Sequence, residues 1–375
     1  MVESSNLGSK TYVAAHRLPS YPTQITETSA ASIDKRGQSS AEKDRPDSMP
    51  LIRRLLQNRE VPKESINIIM ASWRVGTKKQ YSTYLKRWII FCDKQNKNPV
   101  SPTPQNLMTF LSELKDSGLS YSSINTARSA VSSLTLVTGD DDNTIGNHPL
   151  VRLFMRGIFV LNPRLSKQVP IWNPETVLNL LRQWSPMKSL SLKLLSYKTA
   201  MLMLLTTGHR GQTILACSMK HIQISSNKII FHISTLLKTS KPGHHLSQVC
   251  FHSYEDKKLC PVIYLKEYIK RTKQIRQSDQ LLIKMSKPHD GISRATLRRW
   301  TQNTMQRAGI DISVYSAHST RSAATSLAAS RKVQLADILA SAGWRSSSTF
   351  ARHYNRPVKD NATAEFSRAV LGSGK

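Results

Sequence analysis

YSAHSTRSAATSLAASRKVQLADILASAGWRSSSTFARHYNRP, residues 315–357, decides how the rest of the chain is read. It sets His318 and Arg321 three apart, breaks at Gly343-Trp344, and places Tyr354 ten residues beyond the tryptophan, with Arg345, Arg352, His353 and Arg356 around them. Upstream, TTGHRGQTI puts Arg210 directly after an apolar run, and LLKTSKPG carries Lys238, with Lys241 close behind, in a hairpin-forming stretch. Cations, an indole N–H and a phenol are what a phosphate-handling site needs: charge to hold the anion, a donor at its edge and a group able to attack it.

The composition points the same way. The chain has 54 Lys and Arg against 24 Asp and Glu, a formal charge of +30, which marks a polyanion as partner, nucleic acid first. A membrane surface would also attract such charge, but neither an amphipathic anchor nor a lipidation signal is visible. With 375 residues and 39% hydrophobic content, two cores plus tails are affordable. The four cysteines form no CxxC, and Cys92 and Cys217 sit on apolar helical stretches, so a reducing compartment is expected. The start, MVESSNLGSK, lacks an apolar signal core, and the apolar run at residues 200–205 is too short to span a bilayer.

Taken in order, residues 1–48 have no helical or strand period and read as a disordered tail. A short helical preface follows, with Leu51, Leu55, Leu56, Ile66, Ile69 and Met70 at helical intervals. Four helices then make up a region ending at 161. The first carries Tyr81, Tyr84, Leu85, Trp88, Ile89 and Cys92 on one face and Lys78, Lys79, Lys86 and Arg87 on the other. That basic face is either simply solvated or a surface for DNA phosphates. The second starts at Thr103-Pro104 and stops at Gly118, the third runs over 120–137, and the fourth starts at Pro149 with Leu150, Leu153, Phe154 and Ile158. Residues 162–171, with Pro at both ends, are the expected linker. Beyond it, helices opening at Asn173-Pro174 and Leu192 lead to a cluster of strand signals at 221–224, 228–234 and 246–252. Helices from Pro261 and Ser293 follow. Arg294, Arg298 and Arg299 lie off the inner face of the second, and three short helices close a region ending at 360, ahead of a tail at 361–375. The fold class expected is mainly α with one small antiparallel sheet.

The ordered set Arg210, Lys238, His318-x-x-Arg321, Trp344 and Tyr354 resembles the active site of the tyrosine recombinases, the phage integrase family. Lys238 follows Arg210 by 28 residues and Trp344 follows Arg321 by 23, in agreement with the family pattern. Singly, each element is weak: a second His-x-x-Arg occurs at His353-Arg356, and Tyr354 is one of 11 tyrosines. The resemblance implies that 49–161 is an N-terminal SAM-like core-binding domain and that 172–360 is the catalytic domain. It implies double-stranded DNA as partner, a homotetramer on two sites, and neither a small-molecule substrate nor a membrane. Gln212-Thr213, Lys238-Thr-Ser-Lys-Pro-Gly and the Ser-Ser-Ser-Thr-Phe after Arg345 look like recombinases of eukaryotic DIRS-type mobile elements, which makes the nucleus the expected location.

In that reading Arg210 and Arg321 clamp the non-bridging oxygens, since guanidinium offers a planar, permanently charged fork. Lys238, with Lys241 as a rival in the same loop, protonates the leaving 5′-oxygen. His318 and Trp344 donate to the phosphate, and Tyr354 attacks to leave a 3′-phosphotyrosyl bond, a reaction that calls for no metal and no cofactor. Lys78, Lys79, Lys86, Arg87, Lys241, Arg294, Arg298 and Arg299 are the candidate DNA contacts. Two departures stand out. Thr213 occupies a position that is commonly acidic in the family, and the Trp344–Tyr354 spacing is one residue longer than the commonest, an excess assigned to the loop after Arg345. A catalytically idle DNA-binding protein with the same fold, and a type IB topoisomerase, are the rival readings; a metal-dependent nuclease is disfavoured for want of a carboxylate cluster.

Overall fold

A computed structural model describes residues 49–138, 144–163, 171–344 and 346–354. The expected tails at 1–48 and 361–375, most of the expected linker, and Arg345 and Arg356 lie outside the described residues. The chain divides into two compact units, residues 1–165 and 166–375.

The first unit is helical: α1 (Pro50–Asn58), α2 (Lys63–Ala71), α3 (Val75–Lys94), α4 (Pro104–Asp116), α5 (Tyr121–Thr138) and α6 (Pro149–Leu161). Local chemistry sets the boundaries. Thr103 Oγ1 accepts from the Asn106 N–H at 3.2 Å and Pro104 takes the first helical position, where no N–H is needed. Trp88 is wholly buried at the centre, stacked on Phe91 at 5.4 Å and edge-on to Phe110 at 5.3 Å, with its indole N–H donating to the Pro99 carbonyl at 2.9 Å. The preface helices belong to this core, since Met49, Ile52 and Ile66 are at most 2% exposed. Gly146 has a packing reason: a Cβ there would fall 2.0 Å from Ser132 Oγ, so α5 can pass this close only over a glycine.

Two expected faces are corrected. On α3, Phe91 is buried and Ile89 only partly so. On α6, Val151, Met155 and Ile158 point inward, while Leu150 and Leu153 are 48% and 58% exposed. The sequence of α6, PLVRLFMRGIFVL, is apolar on most of its circumference, so periodicity alone does not choose its inner side.

The second unit contains α7 (Pro174–Gln183), α8 (Leu192–Thr207), α9 (Gly211–Leu215), β1 (Ile222–Ile224), β2 (Lys228–His232), β3 (Gln248–His252), α10 (Pro261–Thr272), α11 (Arg294–Arg307), α12 (Ser319–Ser330), α13 (Leu335–Ala342) and α14 (Ser347–His353). The sheet is antiparallel in the order β1-β2-β3, with Ile230 opposite Cys250 and Gln223 opposite Ile230. Strands β2 and β3 are shorter than expected: past His232 one further backbone bond, from the Ile233 N–H to the Ser247 carbonyl at 2.8 Å, continues the pairing, and the chain then leaves the ladder. The stretch expected as a loop after Arg345 is mostly helix: Ser346 caps α14, and Ser347 and Ser348 are in its first turn.

Helix α8 is the axis of this unit, buried around almost its whole circumference. It carries an unexpected charge. Lys198 is fully buried, and its ammonium donates to the carbonyls of Leu181 (2.5 Å) and Trp184 (2.9 Å) and to the Tyr264 hydroxyl (2.8 Å). Three donors meeting three acceptors is what makes such burial tolerable. Burial draws its pKa down to about 8, partly opposed by the negative charge of Asp256.

The aromatic centre of the first unit yields a direct test: Trp88→Ala removes both ring contacts and leaves the Pro99 carbonyl unpaired. Urea unfolding of the full chain should show the first unit's transition destabilised by about 3–5 kcal/mol; a loss near zero would mean that Trp88 is not its packing centre.

Candidate active site

Helix α8 ends at Gly208, whose left-handed backbone (φ 62°) turns the chain sharply. That turn exposes the Gly208 carbonyl, which accepts from Arg321 Nη1 at 2.7 Å, and it places Arg210 at the N-terminal end of α9. Arg321 sits in the first turn of α12, one turn after His318, so the three-residue spacing aims both side chains the same way.

Arg321 is 1% exposed. Its guanidinium lies over the Trp344 ring at 4.0 Å and near the Tyr354 ring at 5.2 Å. Its Nε and Nη2 are buried without a hydrogen-bond partner among the described residues, as is Trp344 Nε1. Burial, and then the neighbouring charge of Arg210, lower the pKa of this arginine to about 10, with Tyr354 partly opposing them. Open donors around a buried cation form a socket for an anion.

Tyr354 completes the socket. It follows α14, its N–H donating to the Phe350 carbonyl at 2.9 Å and its own carbonyl accepting from Ser326 Oγ at 2.6 Å. Its ring lies 4.5 Å from that of Trp344, and its hydroxyl is 3.3 Å from His318 Nε2. Burial, and then the charges of Arg321, Arg210 and Lys238, lower the pKa of His318. The imidazole is therefore neutral near pH 7 and able to accept a proton from the phenol.

Arg210, Lys238, His318, Arg321 and Tyr354 line one cavity of about 630 Å³, with Arg294 and Arg298 also on its wall. Trp344 lines an adjoining cavity of about 250 Å³ together with Arg210, Arg321 and Thr213. Among the described residues no acidic side chain lines either cavity. Lys241 and Arg299 are exposed and line neither. Lys79, Lys86 and Arg87 are exposed on α3 and Lys78 is half-buried there; all four belong to the first unit. Among the described residues no group of three or more His, Cys, Asp or Glu side chains is placed to hold a metal ion, and no helix is long and apolar enough to cross a membrane.

The sequence model of the phage integrase family matches residues 175–360, and that of the phage integrase N-terminal SAM-like domain matches residues 67–142, one in each unit. The chain belongs to the phage integrase family. It is a tyrosine recombinase by fold, with a SAM-like N-terminal domain and an integrase catalytic domain. Among solved structures it is similar to the XerH site-specific recombinase bound to palindromic difH substrate (16% identity, 87% of this chain and 85% of that one, TM-score 0.53). It is also similar to the Tn1549 transposon integrase in complex with transposon right end DNA (14% identity, 87% and 100%, TM-score 0.51). At these identities the likeness is one of fold. No curated protein matches the sequence.

Two residues of this recombinase site escaped the sequence reading. Gln212, two positions after Arg210, accepts the Lys238 backbone N–H on its Oε1 at 3.1 Å. His209 is buried beneath Arg321 and hydrogen-bonded to the Ala342 backbone, and a Cβ at Gly343 would lie 3.4 Å from its Cε1. The signal for both was adjacency to Arg210, which says nothing about which way a side chain points. Burial, and then the charge of Arg321, lower the His209 pKa from 6.5 to about 4, with the Ala342 backbone holding it partly up and Arg210 lowering it further.

This makes a pH prediction. The folded value lies below the unfolded one, so the unfolded chain takes up the proton first as pH falls. The stability His209 contributes is complete above about pH 6.5 and is lost toward pH 4, by at most about 3 kcal/mol. The lowered pKa of His318 acts with the same sign. Urea unfolding at pH 7 and pH 4.5 should show this drop for the catalytic domain, and His209→Leu should remove much of it. An unchanged pH slope in that variant would contradict the assignment.

Proposed function

We propose that this protein is a site-specific DNA recombinase that cuts and rejoins duplex DNA through a 3′-phosphotyrosyl intermediate. One observation carries the reading: the Tyr354 hydroxyl, 3.3 Å from the neutral His318, opens onto the cavity where Arg210, Lys238 and the unpartnered donors of Arg321 converge. The scissile phosphate occupies that socket, its non-bridging oxygens held by Arg321 and Arg210 and approached by Trp344 Nε1. Tyr354 Oη attacks phosphorus as its proton passes to His318 Nε2. The P–O5′ bond breaks, and the departing oxygen takes a proton from the Lys238 ammonium. The phosphodiester bond energy is kept in the tyrosyl link, so the reverse sequence with a new 5′-hydroxyl rejoins the strand.

Duplex DNA is the partner, gripped through its phosphates by Arg294 and Arg298 at the cavity wall and by Arg299, Lys241, Lys78, Lys79, Lys86 and Arg87 elsewhere. Two sites brought together by a homotetramer allow strands to be exchanged. The motif residues around Arg210, Lys238 and Trp344 support an origin in a DIRS-type mobile element and action in the nucleus. Thr213, where the family commonly has an acid, favours the rival reading of an idle DNA-binding protein. Against it stands Tyr354, whose hydroxyl lies 3.3 Å from His318 Nε2 on the wall of the same cavity, a pairing of nucleophile and base that phosphate binding alone does not need.

On a duplex nicked next to the cleavage site, the wild-type protein should form a covalent adduct in the presence of EDTA. Tyr354→Phe should abolish it, and Arg321→Ala or Arg210→Ala should each slow it roughly 10²–10³-fold while leaving DNA retention in gel shifts. An adduct that survives Tyr354→Phe, or one that peptide mapping places on another residue, would overturn the proposal.

A further inference from the structure

We infer that Gln212 is a positioning residue for the general acid: its side-chain amide fixes the Lys238 loop to the turn that presents Arg210. This rests on the recombinase reading above and adds a role to a residue outside the reacting set.

Lys238 lies in the long connection 233–247 between β2 and β3, and its side chain is exposed. The connection carries its own scaffold. Ile233 N–H donates to the Ser247 carbonyl (2.8 Å), and Leu237 N–H donates to Ser240 Oγ (2.9 Å). The Ser240 hydroxyl meets His245 Nδ1 at 2.8 Å, and His245 Nε2 donates to the Ile233 carbonyl at 2.7 Å. The carbonyl opposite Nε2 requires that ring nitrogen to carry a hydrogen. These bonds shape the loop but do not aim it at the phosphate socket. Gln212 does so, because its Oε1 accepts from Lys238's own backbone N–H, and Gln212 is two residues from Arg210 on α9.

The choice of an amide has a physical reason. Arg210, Arg321 and Lys238 are like charges around one cavity with no carboxylate on its wall among the described residues, so their repulsion drives the lysine outward. A neutral acceptor restrains the backbone and leaves the ammonium unpaired. A carboxylate at the same place would attract the ammonium and hold its proton when it is needed on the leaving oxygen. Displacement of a catalytic group by about 1 Å costs on the order of 100-fold in rate.

The test separates an effect through Lys238 from a general loss of structure. Gln212→Met keeps length and removes the acceptor. Cleavage is measured on two nicked duplexes, one with the natural 5′-bridging oxygen at the scissile phosphate and one with sulfur there, since a thiolate departs without needing a proton. The expected result is a loss of about 100-fold on the oxygen substrate and less than about threefold on the sulfur substrate, the same pattern as Lys238→Ala. Equal losses on both substrates, or no loss on either, overturn the positioning role while leaving the recombinase reading intact. If the wild-type protein forms no adduct on either substrate, the recombinase reading itself fails and this inference with it.

Discussion

A guanidinium that is 1% exposed, bonded to one carbonyl and with Nε and Nη2 left open among the described residues, is the constraint on which the catalytic domain turns. Everything near it either holds Arg321 in place or shares its demand for an anion. The left-handed turn at Gly208 supplies the carbonyl; α12 supplies the side chain one turn after His318; the rings of Trp344 and Tyr354 cover the charge with their faces. Burying a cation without a counter-ion is expensive, and Arg321's lowered pKa is the mark of that expense. A protein tolerates such a group when its ligand arrives to complete it, and local rules of polar satisfaction are often broken at functional sites. Lys198 is the internal control: equally buried, but with all three of its protons on acceptors.

The absence, among the described residues, of acidic side chains from the two cavity walls extends the same logic. Thr213 is buried at the edge of the smaller cavity and can offer a hydroxyl but no negative charge. Burial first, and then the uncompensated cations, push His318 and His209 toward the neutral form. For His318 this has a use, since only the neutral ring can take the proton of the Tyr354 hydroxyl beside it. For His209 it keeps a filler beneath Arg321 from adding a further charge. In the proposed reaction the same cations hold the phosphate while they add to the burial that keeps the base unprotonated.

Much of this was legible before any coordinates. Helix starts were marked by Thr103-Pro104, Asn173-Pro174 and Ser293, whose side chains accept backbone N–H groups as expected. The mainly helical fold with its three-stranded sheet followed from periodicity, and the order of the six site residues pointed to one family. What escaped has a common cause. Periodicity names a face only where a helix has a polar side, so it misplaced the inward side of α6 and gave no hint of Lys198 within α8. Residue type and spacing say which groups can do chemistry, but not which support them. His209 and Gln212 act through burial and through one backbone N–H 26 positions away, and both depend on how the 233–247 connection and the α13 turn close around α9.

The most direct test of the central claim is the anion dependence of thermal unfolding for the wild-type protein and Arg321→Met, each in phosphate and in chloride at equal ionic strength. If the buried donors of Arg321 are an unfilled phosphate socket, phosphate raises the wild-type midpoint above its chloride value, and Arg321→Met loses most of that rise. An equal rise in the two proteins would place the bound anion on the basic surface instead, and would contradict the claim.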